Sequence, residues 1–139
     1  QFFADEERRG AVHLSVGNVK TIPSGIAWMI CNCYKGSCDV IDPAADANLP
    51  VRTICAPSRY QTFVDIEKCQ SCQTCVARCF FGAAQMKKYP GDTKWKAWID
   101  PELCMGCGSC TLTCPAGART LKAIRPPDFI PDELESVEF

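Results

Sequence analysis

The sequence predicts an α+β domain built from a duplicated β–loop–α–β unit, with an irregular N-terminal extension and a C-terminal tail. Three observations predict it. Shifted by 35 residues, the chain aligns with itself: Val64-Asp65-Ile66-Glu67-Lys68-Cys69 lies over Ile99-Asp100-Pro101-Glu102-Leu103-Cys104. In the same register Cys72, Cys75 and Cys79 lie over Cys107, Cys110 and Cys114, and Gly82-Ala83 over Gly117-Ala118. Short apolar segments with turn residues between them bracket both cysteine runs. These features divide the chain into 1–62, an extension; 63–124, the duplicated domain; and 125–139, an acidic tail.

Within the duplication, Phe63-Val64-Asp65 and Trp98-Ile99-Asp100 are the apolar strands leading into the cysteine loops. Short helices follow, and Gly82 and Gly117 are placed to end them, because glycine takes the left-handed conformation cheaply. Ala84–Tyr89 and Ala118–Ile124 read as the second strand of each half. Tyr89-Pro90-Gly91-Asp92-Thr93-Lys94 carries turn chemistry and predicts an antiparallel connection into Trp95–Ile99. In the extension, Asp5–Arg9 reads as the end of a helix stopped by Gly10, and Ile26–Ile30 as a buried strand. Asp42–Pro50, with two prolines, reads as loop. Arg125-Pro126-Pro127 stops the last strand.

Twelve cysteines in 139 residues set the chemistry, a density at which a covalent or metal framework is expected. One histidine, His13, leaves little material for mixed Cys/His metal sites, and it reads as a packing or surface residue. Fifteen basic and sixteen acidic residues give a net charge of −1, which supplies no concentrated basic surface for nucleic acid. Residues 125–139 set Arg125 against Asp128, Asp132, Glu133, Glu135 and Glu138, a local net of −4 that leaves the remainder at +3. No apolar run is long enough to span a bilayer, and no charged n-region followed by an apolar h-region is visible in the sequence, which starts at Gln1 rather than Met; a cytoplasmic location is expected. Phosphate loops, dinucleotide fingerprints and nucleophile motifs are absent, and no catalytic residue is predicted. Trp28, Trp95 and Trp98 read as core.

The runs Cys69-x2-Cys72-x2-Cys75-x3-Cys79 and Cys104-x2-Cys107-x2-Cys110-x3-Cys114-Pro115 set three thiols on a loop and a fourth on the same face of a short helix. Zinc sites pair cysteines over longer gaps, and disulfides across such tight loops would be strained. Residues 63–124 resemble the bacterial-type two-[4Fe–4S] ferredoxins at all eight ligand positions. Phe80 departs from the pattern, standing where the family has the proline that Pro115 supplies in the second half. The resemblance implies a ferredoxin-like dicluster module with pseudo-twofold symmetry and two [4Fe–4S] cofactors. It also implies crossed wiring, one cluster on Cys69, Cys72, Cys75 and Cys114, the other on Cys104, Cys107, Cys110 and Cys79. The loops differ: Met105-Gly106-Cys107-Gly108-Ser109 is glycine-rich, whereas Gln70-Ser71-Cys72-Gln73-Thr74 is polar and lacks glycine.

Cys31, Cys33, Cys38 and Cys55 match no specific spacing. They could hold a third [4Fe–4S] cluster or zinc, or stay as thiols or disulfides; the Lys35-Gly36-Ser37 turn favours metal by folding the ligands together. Ile30-Cys31-Asn32-Cys33, followed by Ser58-Arg59-Tyr60 and a dicluster unit, is similar to C-terminal parts of multi-cluster iron–sulfur subunits of anaerobic redox complexes. The expected function is single-electron transfer within a larger oxidoreductase, with redox proteins as partners and any active site on another subunit. The alternative is a structural or redox-sensing iron–sulfur module. Apolar Phe2-Phe3, Ile26–Ile30 and Phe129-Ile130, outside the duplication, suggest docking to a partner.

Overall fold

In the computed structural model, residues 1–16, 29–39 and 41–129 are described. They form a small mixed helix and strand structure with three two-stranded antiparallel sheets. The extension comprises helix α1 (Phe2–Arg9), strands β1 (Val12–Val16) and β2 (Met29–Cys33), and short helix α2 (Ile41–Asp46). A single 3-10 turn, Val51–Thr53, leads on to β3 (Tyr60–Val64). Then come α3 (Thr74–Arg78), β4 (Ala84–Lys87), β5 (Lys96–Ile99), α4 (Ser109–Leu112) and β6 (Arg119–Ala123). None of the described helices is long and apolar enough to cross a membrane.

The pairing within the duplication exchanges strands between its halves. β3, from the first half, pairs with β6 of the second, with Val64 opposite Arg119. β4, from the first half, pairs with β5 of the second, with Ala84 opposite Ile99. The 35-residue shift carries one register onto the other. It also carries the 2.8 Å bond from Asp65 N–H to the Ala118 carbonyl onto that from Asp100 N–H to the Ala83 carbonyl, also 2.8 Å. The helices are shorter than their glycines implied: α3 ends at Arg78, capped by Cys79, and α4 at Leu112, capped by Thr113. Gly82 (φ 68°) and Gly117 (φ 58°) instead turn the chain into β4 and β6.

The extension is less irregular than its sequence suggests. α1 stops at Gly10, whose φ of 115° lets its N–H reach the carbonyls of Glu6 and Glu7 at 3.0 Å. Asp42–Pro50 is not simply loop, because Ile41–Asp46 is helical. Pro43 falls in its first turn, where a missing N–H costs nothing, and Asp42 accepts the Cys38 N–H at 2.8 Å to start it. Met29 and Ile30 lie in a strand as expected, but Ile30 is 49% exposed rather than buried. Ile26, Ala27, Trp28 and Ile130 fall outside the described residues. Trp95 is exposed and Trp98 half-buried, so neither is core: the β4–β5 sheet buries Ala97 and Ile99.

Two apolar clusters hold the molecule together. The first is made of small groups: Ala83, Ala84, Ala97, Ala118 and Ile99 around the thiols of Cys69, Cys75, Cys104 and Cys110. The second joins the extension to the duplication, with Val12, Cys38 and Ile41 packed on Phe81 and Met105. Burial of each large side chain there stabilises the junction by about 1.5–3 kcal/mol. Polar ties reinforce it: Arg52 Nε donates to the Glu102 carbonyl at 2.6 Å, and Arg78 Nη2 to the Arg8 carbonyl at 2.5 Å.

Gly106 shows how close this packing is. Its φ is 70°, and a Cβ there would lie 2.1 Å from the Tyr60 carbonyl oxygen and 2.4 Å from Ser58 Oγ. Gly82 has nearly the same φ, 68°, with open space around it. Gly82→Ala is therefore expected to cost about 1–2 kcal/mol through backbone strain alone. Gly106→Ala adds overpacking against backbone, for a total of about 2–5 kcal/mol. Thermal unfolding of the two variants, reconstituted anaerobically, checks the order; equal losses would contradict it.

Candidate iron–sulfur site

The loops before α3 and α4 carry the first three cysteines of each run. Their backbones correspond despite unlike sequences. Ser71 (φ 61°) and Gln73 (φ 62°) take the left-handed conformation that Gly106 (φ 70°) and Gly108 (φ 78°) take 35 residues later. Non-glycine residues there cost on the order of 1–2 kcal/mol each, so the first loop is strained where the second is not. The shared path leaves the middle cysteine of each loop, Cys72 or Cys107, exposed and the flanking ones buried.

The strand exchange then decides which thiols meet. One pocket is lined by Cys69, Cys72 and Cys75 from the first run together with Cys114 from the second. On the other side, Cys107 and Cys110 both interact electrostatically with Cys79 and Cys104. Each set thus gathers three thiols of one run and the fourth of the other. Alanines at 83, 84, 97 and 118 leave room between them. Backbone N–H groups point at sulfur: Ala97 at Cys69 (3.4 Å), Ala84 at Cys79 (3.4 Å) and Ala118 at Cys114 (3.3 Å).

The two sides differ electrostatically. Cys72 accepts a hydrogen bond from the Thr74 hydroxyl at 3.4 Å, which holds its thiol below the usual range. Cys107 also reaches the surface, yet burial by the protein around it pushes its thiol up to about 12, with Cys110, Cys79 and Cys104 adding to the rise. Burial raises Cys110 too, against the opposing pull of Thr62 and Arg119.

Arg119 was not singled out from sequence. It is 4% exposed, and its Nη2 donates to Cys75 Sγ at 2.7 Å while its Nη1 has no hydrogen-bond partner. It lines the first pocket and also acts on Cys110 across the molecule. A buried guanidinium with one thiol for company is costly unless an anion occupies the pocket. Thiolate-ligated iron and sulfide is such an anion, so the donor set and the orphaned donor fit it. The available signal was the repeat itself, since the shift lays Arg119 over Ala84.

The chain contains a 4Fe–4S dicluster domain. Residues 68–118 match the family model of that description. The chain is also 36% identical over 85 residues to a heterodisulfide reductase A-subunit-like protein of Archaeoglobus profundus. That alignment covers 55% of this chain and 12% of the relative, so the chain spans about an eighth of its relative's length. The cofactors of the dicluster domain are two [4Fe–4S] clusters, and it is an iron–sulfur electron-transfer domain.

The remaining predicted ligands lie in the extension and the segment before β3. Cys38 is buried, and Cys31, Cys33 and Cys55 are half-buried. His13 Nδ1 is 2.6 Å from Asn32 Oδ1, and its ring packs edge-on against Phe3, which makes it a packing residue.

Arg119 generates a measurable expectation. A cation beside the ligand sulfurs stabilises the more negative, reduced form. Arg119→Gln is expected to lower the midpoint potential of the centre that Cys75 serves by on the order of 50 mV, about 1 kcal/mol for one electron, and the other by less. An EPR-monitored redox titration reads both; an unchanged or raised potential would contradict the assignment.

Proposed function

We propose that this chain is an electron-relay component of a multi-subunit oxidoreductase, with its two clusters in crossed ligation. The proposed sets are Cys69, Cys72, Cys75 and Cys114 for one cluster, and Cys104, Cys107, Cys110 and Cys79 for the other. The observation that carries this reading is the pocket lined by three thiols of the first run and one of the second. The strand exchange, with its two registers related by 35 residues, supports a ferredoxin-like module of pseudo-twofold symmetry over 63–124. When bound, the clusters supply one-electron storage. The protein's own contribution is to hold eight thiols, direct N–H groups and Arg119 at sulfur, and bury four of the eight thiols.

A place in a larger assembly is supported by exposed apolar side chains, Phe2 (61%), Phe3 (48%) and Leu112 (55%), and by the relative's likeness to part of a reductase. Residues 1–62 serve both purposes: Val12, Cys38 and Ile41 pack on the dicluster domain, while Phe2 and Phe3 face outward. We assign docking to α1 and the acidic tail, and a reducing cytoplasmic setting in which thiolate ligation persists.

Two experiments test the reading. Cys79→Ser is expected to alter the EPR signature of the same cluster as Cys107→Ser, and Cys114→Ser that of the cluster altered by Cys72→Ser. If Cys79→Ser and Cys72→Ser instead disturb one cluster together, the halves bind independently and crossed ligation is wrong. In native anaerobic extract, gel filtration with immunodetection should recover the chain in a complex with other redox proteins. Recovery only as a free monomer, fully active with a soluble reductase, would count against the assembly.

A further inference from the structure

Outside the dicluster domain, the fold collects four more thiols. In the β1–β2 hairpin Leu14 lies opposite Cys31 and Val12 opposite Cys33, while His13 lies opposite Asn32. Directly opposed residues share a face and successive ones alternate, so Cys31 and Cys33 sit on the Val12 face, away from His13. That face is apolar and turned inward, with Val12 only 2% exposed. The turn after β2, with Gly36 at φ 86°, then brings Cys38 back: its Sγ lies 3.7 Å from that of Cys33. A disulfide would need about 2.05 Å. The Ile41 N–H points at Cys38 Sγ at 3.3 Å, as backbone N–H groups do at Cys69, Cys79 and Cys114. Cys55 arrives from the far side of α2 and packs into the same cluster.

Cys33 interacts with both Cys31 and Cys38, and Cys55 with Cys38. Burial pushes the Cys33 thiol up to about 12, and Cys38 and Cys31 push in the same direction. Burial raises Cys55, and Cys38 adds to it. Thiols gathered by a hairpin register, a turn and an apolar cluster, two of them 3.7 Å apart without a disulfide, suit a site that a metal centre occupies.

We propose that Cys31, Cys33, Cys38 and Cys55 ligate a third [4Fe–4S] cluster, seated beside the second cluster of the dicluster domain. The N–H aimed at Cys38 Sγ and the apolar lining repeat the surroundings of the dicluster thiols, and the competition with zinc below decides the metal. The apolar cluster fixes the neighbour. Cys33, Cys38 and Cys55 pack with Phe80, Phe81 and Met105, which directly follow Cys79 and Cys104 of the second ligand set. Phe80, standing where the family has proline, thus packs against the third site. The neighbour's identity rests on the ligand sets proposed above; the existence of the third centre does not.

The test is metal analysis of the full chain, reconstituted anaerobically with ferrous iron, sulfide and zinc offered together, then desalted. About twelve iron and twelve sulfide per chain, without zinc, are expected. The paired variant Cys33→Ser, Cys38→Ser should fall to about eight of each and keep the EPR signals of the dicluster domain. About eight iron in the unmodified chain, with or without one zinc, would overturn the proposal, and that count does not depend on how the variant folds. Retention of about twelve iron in the variant would overturn it too. Failure of crossed ligation would appear separately, in the Cys79→Ser spectra, without changing the iron count of the unmodified chain.

Discussion

Strand exchange between the halves is the constraint on which the rest depends. Because β3 pairs with β6 and β4 with β5, the end of each half lies against the beginning of the other. Cys114, four residues past Cys110, is carried next to the loop of Cys69, Cys72 and Cys75. Cys79 is carried next to Cys104, Cys107 and Cys110. A hairpin confined to one half would leave three thiols per loop and a fourth pointing elsewhere. Under the crossed ligation proposed above, neither half would complete its sulfur set alone, and cofactor binding would be tied to the folding of both.

The composition of the first core follows from that role. Its members besides the thiols are mainly alanine, and alanine burial stabilises little when a methylene is worth about 0.8 kcal/mol. Larger side chains would bury more area and fill the space between the sulfurs. The interior therefore trades hydrophobic stabilisation for room, and metal–thiolate bonds make up the difference. The conventional apolar packing lies at the junction, where Phe81 and Met105 meet Val12 and Ile41. The extension is thus structurally part of the same body, and Cys33, Cys38 and Cys55 pack at its junction with the domain.

Asymmetry between the halves has an electrostatic meaning. The shift lays Arg119 over Ala84, Thr62 over Ala97, and Ser71 and Gln73 over Gly106 and Gly108. Each substitution changes what a sulfur meets: a guanidinium at Cys75, a hydroxyl 3.5 Å from Cys110, a polar and strained loop around Cys72. Two clusters in a duplicated frame therefore experience different fields, the condition for unequal potentials.

Sequence alone determined the duplication, the strand and loop order within it, and the eight-cysteine pattern, because these are local spacings that a linear comparison can read. It also placed the stop of α1, since glycine acts on its own neighbours. It misread Asp42–Asp46, the first part of that stretch, as loop, because proline in a first helical turn looks like proline in a loop until a cap forms around it. Arg119 was hidden for a related reason. An arginine in a strand ordinarily faces water, and only the pairing of Val64 with Arg119 turns this one inward against Cys75. The approach of Cys33 to Cys38 and the packing of Cys55 beside them had no specific spacing to betray them, although the four cysteines were candidates from the sequence. They depend on hairpin register, a turn and a helix acting together, and such contacts between distant segments exist only once the chain has folded.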